Sequence, residues 1–364
     1  MTQLRTVQVL GGGSAGSSAH VRSLAAGLVA RGVRVTVCAP AELDRVYDFQ
    51  GTGASHVPVP RRTDPAAVAA LRAACAGVDV VHAHGLHAAV RAAVALAGQH
   101  VPLVVTWHTR THVGGPRGQL LGLLERRAVR AAAVVLGTSS ELVDRARGRG
   151  ARDARLAPIA LPVPDRPAAD PENKTRAELG AVERPLLMAV GNLLPDQGLD
   201  TLLDAARTWR GLDPTPLLTI VGEGRERARL QRRIENAELP VRLIGRRDDI
   251  SDLLAAADIA LLPSRREARS VLAQEALRLG VPLVATAVGG IPELVGDAAE
   301  LVPYGDAASL SDAVTRLLAD PERRVRLATA GRAQAATWPT EDETIAQVLC
   351  VYDELTQPRR LRRP

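Results

Sequence analysis

Short apolar runs and stretches of helical period alternate along this chain in two series, interrupted once by a proline-dense segment. In the first series Thr6–Leu10, Val33–Val37, Val78–His82, Leu103–Thr106 and Val134–Thr138 read as strands. Ala19–Arg31, Ala66–Ala76, His87–Ala97, Leu120–Ala131 and Glu141–Arg149 read as the helices between them. Repeated strand–helix units predict an α/β architecture with a mostly parallel, doubly wound sheet. Pro158, Pro162, Pro164 and Pro167 then crowd into Ala157–Ala169, which stops regular structure and marks a linker. The second series has strands at Leu186–Val190, Leu217–Val221, Val241–Ile244, Ile259–Leu262 and Leu283–Ala285. Its helices are Thr201–Arg207, Glu226–Glu235, Ile250–Ala256, Ala308–Leu318 and Glu322–Ala336, with Thr344–Leu355 as a last amphipathic helix. The 364 residues suffice for two cores. The expected division is a Rossmann-like domain over 1–162, a linker over 163–182, a second Rossmann-like domain over 183–340, and a terminal helix with a basic tail over 341–364.

Composition narrows the function classes. Hydrophobic residues make up 46% and charged residues 24%, the profile of a soluble globular protein. No apolar run approaches the ~18–20 residues that span a bilayer. The N-terminus lacks the basic and apolar regions of an export signal, so a cytoplasmic location is expected. Cys38, Cys75 and Cys350 are scattered and odd in number, which suits neither a disulfide framework nor a zinc site. The net charge is +6, and because Lys174 is the only lysine this basicity is almost wholly arginine. Aromatic residues are only 2%, which argues against a base-stacking platform, and no nucleic-acid partner is expected. The four arginines of Arg359–Arg363 offer a weak peripheral contact with an anionic membrane, although a frayed, solvated terminus is the plainer account.

Two motifs carry candidate chemistry. Gly11-Gly12-Gly13-Ser14-Ala15-Gly16 satisfies Gly-x-Gly-x-x-Gly, but Cys38-Ala39-Pro40 stands where a nicotinamide enzyme places its ribose-binding carboxylate. A dehydrogenase is therefore disfavoured, while a glycine loop ahead of a helix stays suited to an anion. The other motif is Pro263-Ser264-Arg265-Arg266-Glu267-Ala268-Arg269-Ser270-Val271, in which Glu267 and Glu275 lie eight residues apart across a strand end and the following helix. Ser270 suits the helix N-cap, with free N–H groups beyond it at Val271.

This segment resembles the Glu-x7-Glu donor site of the retaining glycosyltransferases of family 4, which have the two-domain GT-B fold. Gly16-Ser17-Ser18-Ala19-His20-Val21 is similar to that family's first-domain loop, and Thr106-Trp107-His108-Thr109 to its strand-end histidine. The resemblance implies two Rossmann-like domains facing across a cleft, with the final helix, Glu341–Leu355, returning to the first. It implies sugar transfer from a nucleotide-sugar donor to an acceptor hydroxyl with retention, needing no cofactor and no metal. Glu275 would take the ribose hydroxyls and Glu267 those of the transferred sugar, carboxylates being pure acceptors. Gly16 would approach the diphosphate, His108 the sugar or leaving phosphate, and Ser18 and His84 the acceptor. Arg246, after Leu243-Ile244-Gly245, would lie beside the base. Asp248 and Asp249 read as acidic residues favoured at a helix start, not as metal ligands.

One departure stands out. The family's diphosphate clamp is an arginine followed five residues later by a lysine, and this chain has Asn192 and Gln197 there. Neutral donors make weaker phosphate contacts than charged ones. Arg269 is the candidate replacement, because guanidinium binds phosphate in bidentate fashion. The competing expectation is a catalytically weak GT-B protein that binds a nucleotide, a sugar or a partner enzyme; a nucleotide-sugar epimerase has no specific support.

Overall fold

The computed structural model describes residues 3–11, 15–60, 65–108, 115–160 and 171–357. The chain divides into two compact units, 1–162 with 339–364, and 163–338. Unit 1 carries strands β1 (Arg5–Leu10), β2 (Arg34–Ala39), β3 (Ser55–Pro58), β4 (Val80–His84), β5 (Leu103–Trp107), β6 (Val134–Gly137) and β7 (Ala154–Leu156). They form one sheet in the order β3-β2-β1-β4-β5-β6-β7, every pairing parallel. Unit 2 carries β8 (Leu186–Val190), β9 (Leu217–Val221), β10 (Val241–Gly245), β11 (Ile259–Leu262), β12 (Leu283–Thr286) and β13 (Glu300–Val302). Their order is β10-β9-β8-β11-β12-β13, again all parallel. In both sheets the strand order thus reverses once, between β1 and β4 and between β8 and β11. Those two points are where a doubly wound sheet opens a crevice beyond its strand ends.

The strand sequences explain why both sheets are covered on both faces. In β8 every residue through Ala189 is buried, and alternate side chains enter opposite cores. Leu187 and Ala189 pack with Leu218, Ile220 and Leu261, while Leu186 and Met188 pack with Leu217, Ala260 and Leu262 on the other side.

The Glu341–Thr356 helix belongs to unit 1. Thr340 and Glu343 form a reciprocal capping box at its start. Ile345, Val348, Val351 and Tyr352 are buried in the unit 1 core, each worth roughly 1.5–3 kcal/mol relative to exposure. A Cβ on Gly27 would lie 2.0 Å from Ile345 Cδ1, so the absence of a side chain there lets this helix seat against Ala15–Ala30.

Three short strands, β3, β7 and β13, and the Ala41–Tyr47, Ile291–Val295 and Pro171–Leu179 helices fall outside the sequence expectation. The strands hold three or four residues at or near sheet edges, too short for an apolar period. The Pro171–Leu179 helix corrects the linker, which was read through residue 182. Its Arg176 bonds the Ala256 carbonyl at 2.8 Å and Asp258 at 3.1 Å, tying it into unit 2. Pro171 at its first position, with Glu172 next, was the available signal. Residues 163–170, the Gly12–Ser14 part of the glycine loop, Thr109 and the Arg359–Arg363 tail lie outside the described residues.

Candidate active site

At the crevice of unit 2, the loop after β8 meets the loop after β11. A small open pocket there is lined by Val190, Gly191, Asn192, Gln197, Pro263 and Ser264. The two loops are bound backbone to backbone, with Arg265 N–H donating to the Asp196 carbonyl at 2.9 Å. The Arg266 guanidinium lies 3.9 Å from the Asp196 carboxylate. Gly198 sits at φ +69°, and a Cβ there would stand 1.8 Å from the Pro263 carbonyl oxygen. Gly222, after β9, has φ +144°, and its Cβ would meet the Gly191 carbonyl at 1.9 Å. These glycines are what allow the loops after β8, β9 and β11 to pack closely against one another beside the pocket.

Gly198→Ala is therefore expected to cost more than the left-handed backbone penalty of about 1–2 kcal/mol, because the obstacle is main chain. Gly305→Ala supplies the comparison: its φ is +79° but a Cβ would touch nothing within 4 Å. Urea denaturation should show the larger loss for Gly198→Ala; equal losses would mean the loops yield freely.

Glu267 lies half-buried beside this pocket. Burial pushes its carboxyl up to about 7, a hydrogen bond from Ser264 opposes that rise, and the Asp196 carboxylate adds to it. The Val271–Leu279 helix begins with Ser270, whose side chain accepts from Ala273 N–H, as its residue type predicted. Glu275, on that helix and 9% exposed, accepts from Ser251 Oγ at 2.8 Å through Oε1. Sequence reasoning assigned no role to Ser251 or Ser264. Ser264 stood within the quoted motif, while Ser251 lies on the separate Ile250–Ala255 helix and left no spacing signal.

Unit 1 gathers a buried polar chain at the ends of β4 and β5. His82 contacts Tyr352 Oη through Nδ1 and Thr106 Oγ1 through Nε2, both at 2.7 Å. Gln8 Nε2 donates to the same tyrosine oxygen at 2.9 Å, and Gln8 Oε1 meets His84 Nε2 at 3.0 Å. His84 Nδ1 in turn lies 3.3 Å from His108 Nε2, and the His20 ring packs edge-on against both. Burial lowers His20 to about 4 and His82 to about 3, and holds His84 and His108 well below the usual imidazole value. All four are neutral at pH 7. Ser18 Oγ and His108 Nδ1 are buried polar atoms with no hydrogen-bond partner among the described residues.

Comparison with known proteins bears on what these two units are. A family model described as glycosyl transferases group 1 matches residues 171–334, and a glycosyl transferase 4-like domain matches 15–162. The D-inositol 3-phosphate glycosyltransferase of Xylanimonas cellulosilytica is 30% identical over 315 residues, covering 78% of this chain and 74% of that one. The chain belongs to the family 4 GT-B glycosyltransferases. A second relative of this glycosyltransferase is the GDP-mannose-dependent monoacylated alpha-(1-6)-phosphatidylinositol monomannoside mannosyltransferase of Corynebacterium glutamicum. It is 34% identical over 197 residues, and the match spans about half of each chain, 50% and 52%. The fold matches that of Anabaena HepE, solved in complex with UDP, at a TM-score of 0.83 and 20% identity over 97% of this chain and all of that one.

Against this background several expected site residues of the glycosyltransferase sit differently. Arg269 does not turn to the Asn192–Gln197 loop. Its guanidinium packs 5.4 Å from the Trp338 ring centre, and Nε donates to Gln274 at 3.3 Å. Burial and the neighbouring Arg278 lower it to about 10, and an aromatic face is a ready partner for a cation so poorly hydrated. Arg269 Nη2 is buried with no hydrogen-bond partner among the described residues. His84 belongs to β4 and is 3% exposed, with its Nδ1 3.3 Å from His108 Nε2. Arg246 is largely exposed, 3.9 Å from Asp248. Asp249 pairs with Arg247 and makes no side-chain cap, because the guanidinium outcompetes the helix N–H groups. Gly16 lies in the first turn of the Ala15–Ala30 helix, and Val271, half exposed, starts the helix of Glu275.

Proposed function

We propose that this glycosyltransferase moves a sugar from a nucleoside-diphosphate donor to an acceptor hydroxyl with retention of configuration, and that it needs no metal. The observation that carries this reading is the pocket between the β8 and β11 ends, with Glu267 beside it and Glu275 on the helix that follows. Glu275, oriented by Ser251, would accept from the ribose hydroxyls, and Glu267 would hold the transferred sugar. Asn192, Gln197, and the free N–H groups past Ser270 at Val271 would meet the diphosphate. On unit 1, Gly16 is assigned to the diphosphate, His108 to the sugar or leaving phosphate, and Ser18 to the acceptor. Arg246 is assigned to the base side. The names of the relatives support a nucleotide-sugar donor, since one is GDP-mannose-dependent and HepE was solved with UDP.

A second reading, a weak or non-catalytic nucleotide- or sugar-binding protein, is favoured by the same pocket. Asn192 and Gln197 line it in place of two cations, and Arg269 is engaged elsewhere. A panel of nucleotide-sugars assayed for nucleoside diphosphate release separates the two, with EDTA expected to leave the rate unchanged. Restoring charge with Asn192→Arg and Gln197→Lys is expected to raise the rate tenfold or more, since one preorganised donor is commonly worth ~10²-fold. Nucleotide binding without release, in wild type and variant alike, would establish the binding protein.

A further inference from the structure

The Gly115–Ala131 helix of unit 1 carries a face that holds none of the residues assigned to transfer. Glu125, Ala128 and Val129 point inward and are buried, and Glu125 is held by Arg145 at 2.8 Å and Arg149 at 3.0 Å. Gln119, Leu120, Leu123, Arg126, Arg127 and Arg130 are all exposed, at offsets that place them on one side of the helix. Leu120 is 58% exposed and Leu123 61%, one turn apart. Arg126 and Arg130 are like charges at i and i+4, a spacing that costs helix stability when no anion intervenes. None of Arg126, Arg127 and Arg130 makes an ion pair among the described residues. Arg152 extends the basic area, its Nη2 donating to the Arg130 carbonyl at 3.4 Å. The helix's own acidic side chain is turned inward, so its outer face is apolar at one end and cationic at the other.

We propose that this face docks the protein on an anionic membrane surface. The arginines meet lipid phosphates, and Leu120 and Leu123 enter the headgroup boundary as the helix lies in the interface plane. The mode is peripheral, since among the described residues no helix is long and apolar enough to cross a membrane. Charge complementarity selects this partner: unpaired guanidinium groups beside exposed leucines fit a surface that is anionic above and apolar below. This inference stands independently of the donor chemistry, because vesicle binding is read without turnover.

The test is sedimentation of the full chain with vesicles of phosphatidylglycerol or of phosphatidylcholine. Binding is expected on phosphatidylglycerol only, and it should fall steeply with added salt. The triple variant Arg126→Gln, Arg127→Gln, Arg130→Gln should bind about a hundredfold more weakly, at about fivefold per arginine. Leu120→Gln with Leu123→Gln should lose about tenfold. All five positions are exposed, so thermal melts of both variants should match wild type. Binding that survives the triple variant would assign the contact to the Arg359–Arg363 tail and overturn the proposal. Wild-type protein that ignores anionic vesicles, or that binds duplex DNA instead, would overturn it as well.

Discussion

Glu267→Gln is expected to lower kcat/KM for the proposed transfer by about 10²-fold while leaving the fold intact. An amide matches the carboxylate in shape but replaces an acceptor oxygen with a donor, so a sugar hydroxyl would face an N–H. The pH profile carries the sharper signature. With its carboxyl raised to about 7 by burial, Glu267 is half protonated near neutrality, so wild-type kcat/KM should rise through pH 7 to a plateau. The Gln variant should lack that step. Stability runs the other way. The folded value lies above the ordinary carboxyl value of 4.5, so the stabilising effect is full below 4.5 and is lost as pH rises through 7. Glu267→Gln should therefore stabilise the protein at pH 8 relative to pH 4.5, by no more than about 3 kcal/mol given partial exposure. Urea midpoints at the two pH values check this. A profile that keeps its step near 7 in the variant would move the titration to another group.

The second large effect is acid unfolding of unit 1. His20, His82, His84 and His108 are buried and held neutral, with folded values below the ordinary 6.5. The unfolded chain then binds more protons, so stability is present above 6.5 and falls as pH drops toward the folded values of about 4 and about 3. Each such histidine costs about 2 kcal/mol at pH 5. Acting together, the four would consume much of the ~5–15 kcal/mol that holds a domain folded. Trp107 lies in β5 of unit 1, while Trp209 and Trp338 belong to unit 2. Fluorescence of the Trp209→Phe, Trp338→Phe variant thus reports on unit 1. Its urea midpoint should collapse between pH 7.5 and 5, and His82→Gln should flatten the slope. A midpoint constant over that range would mean the cluster takes up protons without cost.

Much of the fold was legible because strands β8 and β11 are continuous apolar runs and β9 is broken only by Thr219, with ends marked by glycine or proline, and their bounds match residue for residue. Ser270 was readable as a cap because capping depends on one side chain and the backbone three residues on. His84 was read as an acceptor-side group because the expected strand stopped at His82, two residues early, and polar residues such as His82 and His84 break the apolar pattern. They are tolerated within β4 because Tyr352, Thr106 and Gln8 supply their hydrogen bonds. No local pattern announces that Tyr352, 270 residues away, will be the partner.

The chain by itself determined two parallel sheets, a proline-marked break between them, and the Glu267 to Glu275 segment at a strand end. These follow from period, turn chemistry and spacing, which act over a few residues. Only the tertiary structure decided where the charges go. It turned Arg269 onto Trp338, set Ser251 beside Glu275, and buried four histidines in unit 1. Each of those outcomes rests on packing against residues distant in sequence, and the direction of a long side chain is set by the partner it finds there.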